Sequence, residues 1–219
     1  MIKVINKIFN IIYPKRCPFC DKVIESSLSI CDSCKSDVAP IFIQRDIFLD
    51  EKIIPCISPF KYTGKVAESI KKFKFNGRKE YAECLSKFMV DTFNIYYKNE
   101  KIDYITSVPL YSSRKRDRGY NQAEILSKSI GKKVNITYKN LLKKDKINLQ
   151  QHMLSYDKRE ENVKNVYSAK RKDIINGSKI LICDDVITTG STLKECCRIL
   201  YENGASKVLG ITTASTKVN

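Results

Sequence analysis

Residues 180–192 read Ile180-Leu181-Ile182-Cys183-Asp184-Asp185-Val186-Ile187-Thr188-Thr189-Gly190-Ser191-Thr192. The four apolar residues that open this stretch predict a strand buried on both faces, the kind found in a parallel sheet covered by helices. Two carboxylates follow where that strand emerges at its C-terminal edge, which is where open α/β sheets bind ligands. From Thr188 to Thr192 every residue is hydroxylated or glycine. Gly190 lets the backbone turn tightly, and the amides that start the next helix form a cradle for an anion. The chemistry expected is a phosphate held by Thr188, Thr189, Gly190, Ser191 and Thr192, beside a polyol or a metal held by Asp184 and Asp185. Two simpler readings fall short. The acidic strand of a P-loop NTPase requires a GxxxxGK[ST] elsewhere in the chain, and none is present. A plain N-cap accounts for Thr and Ser before a helix, but not for two adjacent acids ahead of a five-residue hydroxyl and glycine run.

Working outward, Leu193–Glu202 has helical periodicity and Lys207–Thr212 reads as a further strand. Upstream lie a β-rich run, Asp103–Val108, a helix over Asn121–Ile130 that Gly131 is expected to stop, and a short strand over Val134–Thr137. Lys143–Asn162 is strongly polar without a sustained period and reads as a long mobile loop. This alternation of strands and helices predicts an α/β fold, a parallel sheet with helices on its faces. Before it, Val66–Lys74 and Glu80–Tyr97 are helical, separated by the Asn76-Gly77 turn signal. Ile53–Tyr62 is extended, and Pro55 and Pro59 are expected to confine it to a sheet edge. Val38–Asp50 reads as a connector.

The chain has 219 residues, and 40 Lys and Arg against 24 Asp and Glu give a formal net charge of +16. Such an excess favours anionic partners: nucleic acid, phosphorylated small molecules or an anionic membrane surface. The single histidine, His152, excludes centres that need several imidazoles. No apolar run approaches the roughly 18 residues that span a bilayer. At the N-terminus, Ile5, Ile8, Phe9 and Ile12 recur at helical spacing with Lys3, Asn6, Lys7 and Asn10 interleaved. That pattern is an amphipathic helix rather than a secretory signal, which would be uninterrupted and followed by a cleavage site. Packing on the body of the protein is its plain role, and peripheral association with a membrane surface its sharper one.

Nine cysteines without a signal sequence predict a reducing, cytoplasmic setting. Four are arranged: Cys17-Pro18-Phe19-Cys20, ten residues, then Cys31-Asp32-Ser33-Cys34. Two such CxxC turns supply the tetrahedral sulfur shell of a structural Zn²⁺, a zinc ribbon with no open coordination position. A thioredoxin-type motif would be a single CxxC opening a helix after a strand. The other five cysteines follow no ligand spacing and are expected to be packed. The chain therefore divides into residues 1–50, an N-terminal helix with a zinc ribbon, and residues 51–219, the α/β domain.

Segment 180–192 resembles the phosphoribosyl diphosphate (PRPP) motif of type I phosphoribosyltransferases. The resemblance implies a type I phosphoribosyltransferase-like sheet in which Asp184 and Asp185 contact the ribose hydroxyls, Thr188–Thr192 hold the 5-phosphate, and Mg²⁺ bridges diphosphate and ribose. Thr188 departs from the members acting on hypoxanthine and guanine, which carry an Asp there as base, so a 6-oxopurine substrate is not expected. Further blocks narrow the likeness: Val108-Pro109-Leu110, then Arg114-Lys115-Arg116-Asp117-Arg118-Gly119-Tyr120-Asn121-Gln122-Ala123, Gln151-His152-Met153-Leu154-Ser155, and Arg159-Glu160-Glu161-Asn162. With the double CxxC they resemble the competence protein ComF family, phosphoribosyltransferase-like proteins linked in bacteria to DNA uptake, over Cys17 to about Thr213. In the fold so implied, the segment after Val108 receives the diphosphate, and Lys143–Asn162 is the flexible loop that closes over substrate.

Two functions follow from one fold. In the first, PRPP or a related sugar phosphate sits in the pocket while a basic surface binds single-stranded DNA during uptake. Arg114, Arg116 and Arg118 would neutralise a diphosphate or a phosphodiester backbone, and the ribbon would face the uptake machinery. Tyr62, Phe73, Phe75 and Tyr81 lie among Lys65, Lys71, Lys72, Lys74, Arg78 and Lys79, a pairing that suits single strands. The plain alternative makes Phe73 and Phe75 core residues beside snorkelling lysines. In the second function the chain is an active phosphoribosyltransferase with an unidentified acceptor.

Overall fold

The computed structural model describes residues 14–144 and 166–217. The amphipathic N-terminal segment, His152 and most of Lys143–Asn162 lie outside the described residues. The chain opens with a small bridge, Arg16↔Val23, that carries the first CxxC, and a short helix α1 (Asp32–Asp37) that carries the second. Then come β1 (Ile43–Leu49), β2 (Lys52–Ser58), β3 (Phe60–Lys61), α2 (Gly64–Phe75), α3 (Tyr81–Tyr96) and β4 (Tyr104–Ser107). These are followed by α4 (Ser112–Arg118), α5 (Gln122–Val134), β5 (Thr137–Tyr138), β6 (Leu142–Lys144), β7 (Tyr167–Ala169) and α6 (Lys172–Ile175). The order closes with β8 (Lys179–Ile187), α7 (Ser191–Glu202) and β9 (Lys207–Ser215).

The main sheet runs β1-β2-β9-β8-β4-β5, with β3 also on β9. All pairings in it are parallel except β1 with β2. β8 lies between β9 and β4, so its apolar residues meet covered faces on both sides. Leu181 and Cys183 point to the cluster formed with Ile105, Leu126, Ile130, Leu209 and Ile211, while Ile180 and Ile182 point to the cluster with Leu193, Cys196, Leu200 and Val208. That alternation is the two-residue period of a strand. It explains why an unbroken apolar run was needed there. The parallel α/β architecture expected from the sequence is therefore present.

Four local expectations differ. Val38–Asp50 is no connector, because β1 pairs with β2 from Ile43↔Ser58 to Leu49↔Lys52. The strand carrying Pro55 is consequently interior, and β1 takes the edge. Proline is accommodated because the parallel pairing of β2 with β9 starts only at Cys56, and the Tyr97 hydroxyl fills the gap, donating to the Pro55 carbonyl at 2.8 Å. Gly131 does not stop its helix. It lies one turn inside α5, where a Cβ would stand 2.5 Å from the Ile136 carbonyl oxygen, so close packing against the following chain requires glycine there. The helix ends instead at Asn135, whose φ is +56°. Finally, the short strand expected over Val134–Thr137 is confined to β5, because Val134 still belongs to α5 and Asn135 must turn the chain first.

The zinc ribbon is seated on the sheet domain. Phe19, 1% exposed, meets Phe60 and Phe88 edge-on at centroid distances of 5.8 and 6.3 Å. Asp21, with φ +65°, accepts from the Tyr81 hydroxyl at 2.7 Å and pairs with Arg78 at 3.3 Å. Lys65 pairs with Asp37 at 2.6 Å.

Candidate phosphate and metal sites

β8 continues as a ladder through Asp184↔Thr212 to Ile187↔Ser215, so both acids stand within the last residues of the strand rather than after it. Successive strand residues point to opposite faces, which separates the two carboxylates. Asp184 Oδ1 accepts the Asp185 amide at 2.8 Å. Burial pushes the Asp184 carboxyl up to about 7, and the charge of Asp185 adds to that. Asp185 is ion-paired with Lys74, Oδ1 to Nζ 2.8 Å, with both side chains mostly buried.

The loop turns at Gly190, φ +89°, which caps α7. Thr189 Oγ1 accepts the Ser191 amide at 3.3 Å and lies 2.9 Å from Ser191 Oγ. One loop amide is therefore engaged by the loop itself. From the edge strand, Arg45 donates to the carbonyls of Thr188 and Thr189, the latter at 2.9 Å, and Thr216 Oγ1 donates to the Thr188 carbonyl at 3.2 Å. A trans peptide sets its C=O and N–H on opposite sides. Holding those two carbonyls therefore turns the Thr189 and Gly190 amides away from Arg45.

Arg118 to Ala123 ties α4 and α5 to the end of α2. Gly119, φ +74°, ends α4. The Tyr120 hydroxyl donates to the Phe73 carbonyl, and Gln122 Nε2 donates to the Lys74 carbonyl at 3.2 Å. Asn121 caps α5 by accepting the Ala123 amide at 3.1 Å, and its own amide donates to the Val108 carbonyl at 3.0 Å. Helix C-terminal carbonyls lack intrahelical partners, and these side chains supply them. The block thus fixes the position from which Lys74 reaches Asp185. Of the three arginines singled out in the sequence, Arg118 lies over Phe75, and Arg114 is exposed on the same cavity as Lys74 and Phe75. Arg116 is exposed and is not among the residues lining that cavity.

Lys144, at the end of β6, donates to the Tyr167 hydroxyl at 2.8 Å, with its ammonium 4.3 Å from the centre of the Tyr111 ring and 4.7 Å from that of Tyr167. Burial lowers its pKa, with the Arg114 charge acting the same way and Asp184 opposing it. Lys74, Arg45 and Lys144 were not identified as site residues by the sequence motifs. Lys74 and Lys144 stood in basic stretches and Arg45 in a supposed connector, and only tertiary contacts distinguish them.

At the other end, the sulfurs of Cys17, Cys20, Cys31 and Cys34 lie within 4.8 Å of one another, two buried and two half-buried. Cys20 and Cys31 sulfurs are 3.4 Å apart. Zn–S bonds of about 2.3 Å place tetrahedral sulfurs roughly 3.8 Å apart, so the four thiols fit a zinc ion. The Ser33 hydroxyl beside Cys31 lowers that thiol to about 6, while burial raises Cys20 and Cys34. The two CxxC turns differ: the first closes through the Cys17 amide on the Lys22 carbonyl at 2.8 Å, and the second opens α1.

Comparison with known proteins gives a phosphoribosyl transferase domain over residues 117–217 and a double zinc ribbon domain over residues 8–46. The DNA utilization protein YhgH of Salmonella typhimurium is 28% identical over 199 residues, covering 88% of this chain and 86% of that protein. Competence protein F of Haemophilus influenzae is 39% identical over 106 residues, 48% of this chain and 46% of that one. Among solved structures, adenine phosphoribosyltransferase from Saccharomyces cerevisiae aligns over 80% of this chain and 83% of its own, at 12% identity and a TM-score of 0.42.

Proposed function

We propose that this chain, a homologue of competence protein F and the DNA utilization proteins with a phosphoribosyl transferase domain behind a double zinc ribbon, binds PRPP or a related sugar phosphate and serves DNA uptake by holding single-stranded DNA on its basic surface. The observation that carries the reading is the elbow at the end of β8. Two carboxylates stand one residue apart, and beyond them a loop turns on a positive-φ glycine into a helix start. Asp184 and Asp185 would hold the ribose hydroxyls, and the amides of Thr189 and Gly190, with the hydroxyls of Thr188, Thr189, Ser191 and Thr192, would take the 5-phosphate. Oxygen donors alone at the carboxylates suit Mg²⁺, which would arrive with the diphosphate and neutralise it. Lys74 orients Asp185 through their ion pair.

The basic face supports the DNA half. A net charge of +16 and the exposed Arg114 and Arg116 offer phosphate neutralisers. The zinc would fold the ribbon, which then presents a surface to the uptake machinery. Calorimetry with PRPP and Mg²⁺, with and without a single-stranded oligonucleotide, tests both halves. Saturable PRPP binding that Asp185→Asn abolishes is expected, together with oligonucleotide binding that weakens steeply with salt and is reduced by replacing Arg114 and Arg116. Absence of PRPP binding removes the pocket reading. DNA binding that is salt-insensitive, or missing at low ionic strength, removes the other half.

Both carboxylates and the full hydroxyl run are present, which favours a second reading: phosphoribosyl transfer to a nitrogenous acceptor other than a 6-oxopurine. Here the residues would position ribose and stabilise the departing diphosphate. Diphosphate release from PRPP at background across a panel of nucleobases would exclude it.

A further inference from the structure

Phe73 and Phe75 lie two residues apart on α2 and have opposite fates. Phe73 is fully buried, whereas Phe75 is 66% exposed. A phenyl ring left in water at a helix end needs a reason when its surroundings are this polar. The Arg118 guanidinium sits 4.6 Å from the Phe75 ring centre, close enough for a cation–π contact on one side of the ring. Gln122 accepts from Arg118 at 3.4 Å and donates to the carbonyl of Lys74, the residue before Phe75. The cation and the backbone leading into Phe75 are therefore tied to one side chain. Phe75 also lines a cavity with Lys74, Gly77, Arg114, Asp117 and Arg118. Lys74, the adjoining residue, is the one paired with Asp185.

We infer that Phe75 is a stacking platform for a nucleobase, adjoining the lysine that pairs with Asp185 and flanked by cations for the attached or neighbouring phosphates. An exposed aromatic face accepts any base, Arg118 extends the stacking surface, and Arg114 and Lys74 supply charge for a backbone. The Asp117 carboxylate at the rim can accept from an exocyclic amino group. The inference deepens the reading of a sugar-phosphate pocket beside a DNA-binding face, since it names where a base meets both. A free acceptor base and a base within a single strand share this chemistry.

The chain contains no tryptophan, so Phe75→Trp places a single tryptophan on the platform, excited selectively beyond the absorption of tyrosine. Quenching by oligothymidylate, but not by an abasic phosphodiester of equal length, is expected. Equal quenching by the two strands would overturn the platform. Quenching by free bases in the presence of PRPP and Mg²⁺ identifies an acceptor as the source, and quenching by the oligonucleotide alone identifies DNA. Silence with both classes of ligand also overturns it. Phe75→Ala should lower oligonucleotide affinity about tenfold while leaving the heat of PRPP binding to the same variant unchanged. Unchanged oligonucleotide affinity in that variant, with no quenching of the tryptophan by free bases, would count against the platform. If wild-type protein fails to bind PRPP while the introduced tryptophan is still quenched, the pocket reading fails and the platform stands.

Discussion

The four thiols of residues 17–34 and the phosphate elbow of residues 184–192 are assembled in contrasting ways. In the ribbon, all four sulfurs come from two short turns within eighteen residues of each other, and local chain geometry brings them within 4.8 Å. At the elbow, the strand and the loop are local, but the groups that orient them are not. Lys74 comes from α2 and Arg45 from the sheet edge, more than a hundred residues earlier in the chain. The ribbon depends on its metal, and the elbow depends on the rest of the fold. The difference predicts where a single substitution stays local and where it spreads.

The largest effect is expected from removing zinc. Structural zinc binding contributes on the order of 10 kcal/mol to such small modules. Cys17→Ser or chelation should therefore release metal and unfold the ribbon, read by zinc quantitation and by new proteolytic cleavage before residue 40. Retention of zinc with a protease-resistant ribbon would contradict the contrast. Next, Lys74→Met leaves Asp185 beside Asp184 without its cation. A loss of about 3 kcal/mol, the low end for breaking a buried pair, is expected because both side chains keep some exposure, measured as a lowered denaturant midpoint with zinc still bound. Arg45→Ala should cost about 1.5–3 kcal/mol of PRPP affinity, the range for charged hydrogen bonds. Stability should change less, because the arginine is only half-buried. A lysine there would rescue little, since one ammonium does not replace the planar fork on two carbonyls.

The smallest effect concerns pH. Asp184 has its carboxyl raised to about 7 in the folded chain against an unfolded value near 4, so the native state binds the extra proton between those values. Stability contributed by this group is present below about pH 4 and is lost as pH rises through about 7. Asp184→Asn should therefore stabilise the protein near pH 8, by removing a carboxylate whose burial Lys74 and Lys144 offset only in part. The gain should vanish toward pH 4 in paired thermal melts of variant and wild type. An undiminished gain at low pH would assign it to packing rather than charge.

Strand β8, the helix after it and the cysteine shell were legible because each rests on a short-range rule: apolar period, helix start, paired CxxC. What was hidden needed a partner distant in sequence. Pro55 reads as an edge signal until Tyr97 is known to fill its gap. Gly131 reads as a stop until the Ile136 carbonyl is seen against it. The Arg118–Ala123 block was legible as distinctive, but its contacts are with the carbonyls of α2, which no spacing discloses. Phe73 and Phe75 look alike in the sequence, and only the packing of α2 separates a core ring from an open one.

The seating of Phe19 against Phe60 and Phe88, with Asp21 locked by Tyr81 and Arg78, makes the ribbon a rigid handle rather than a leash. A protein that grasps it acquires the orientation of the entire body, so a torque applied at the thiolate end is felt at the sheet without slack.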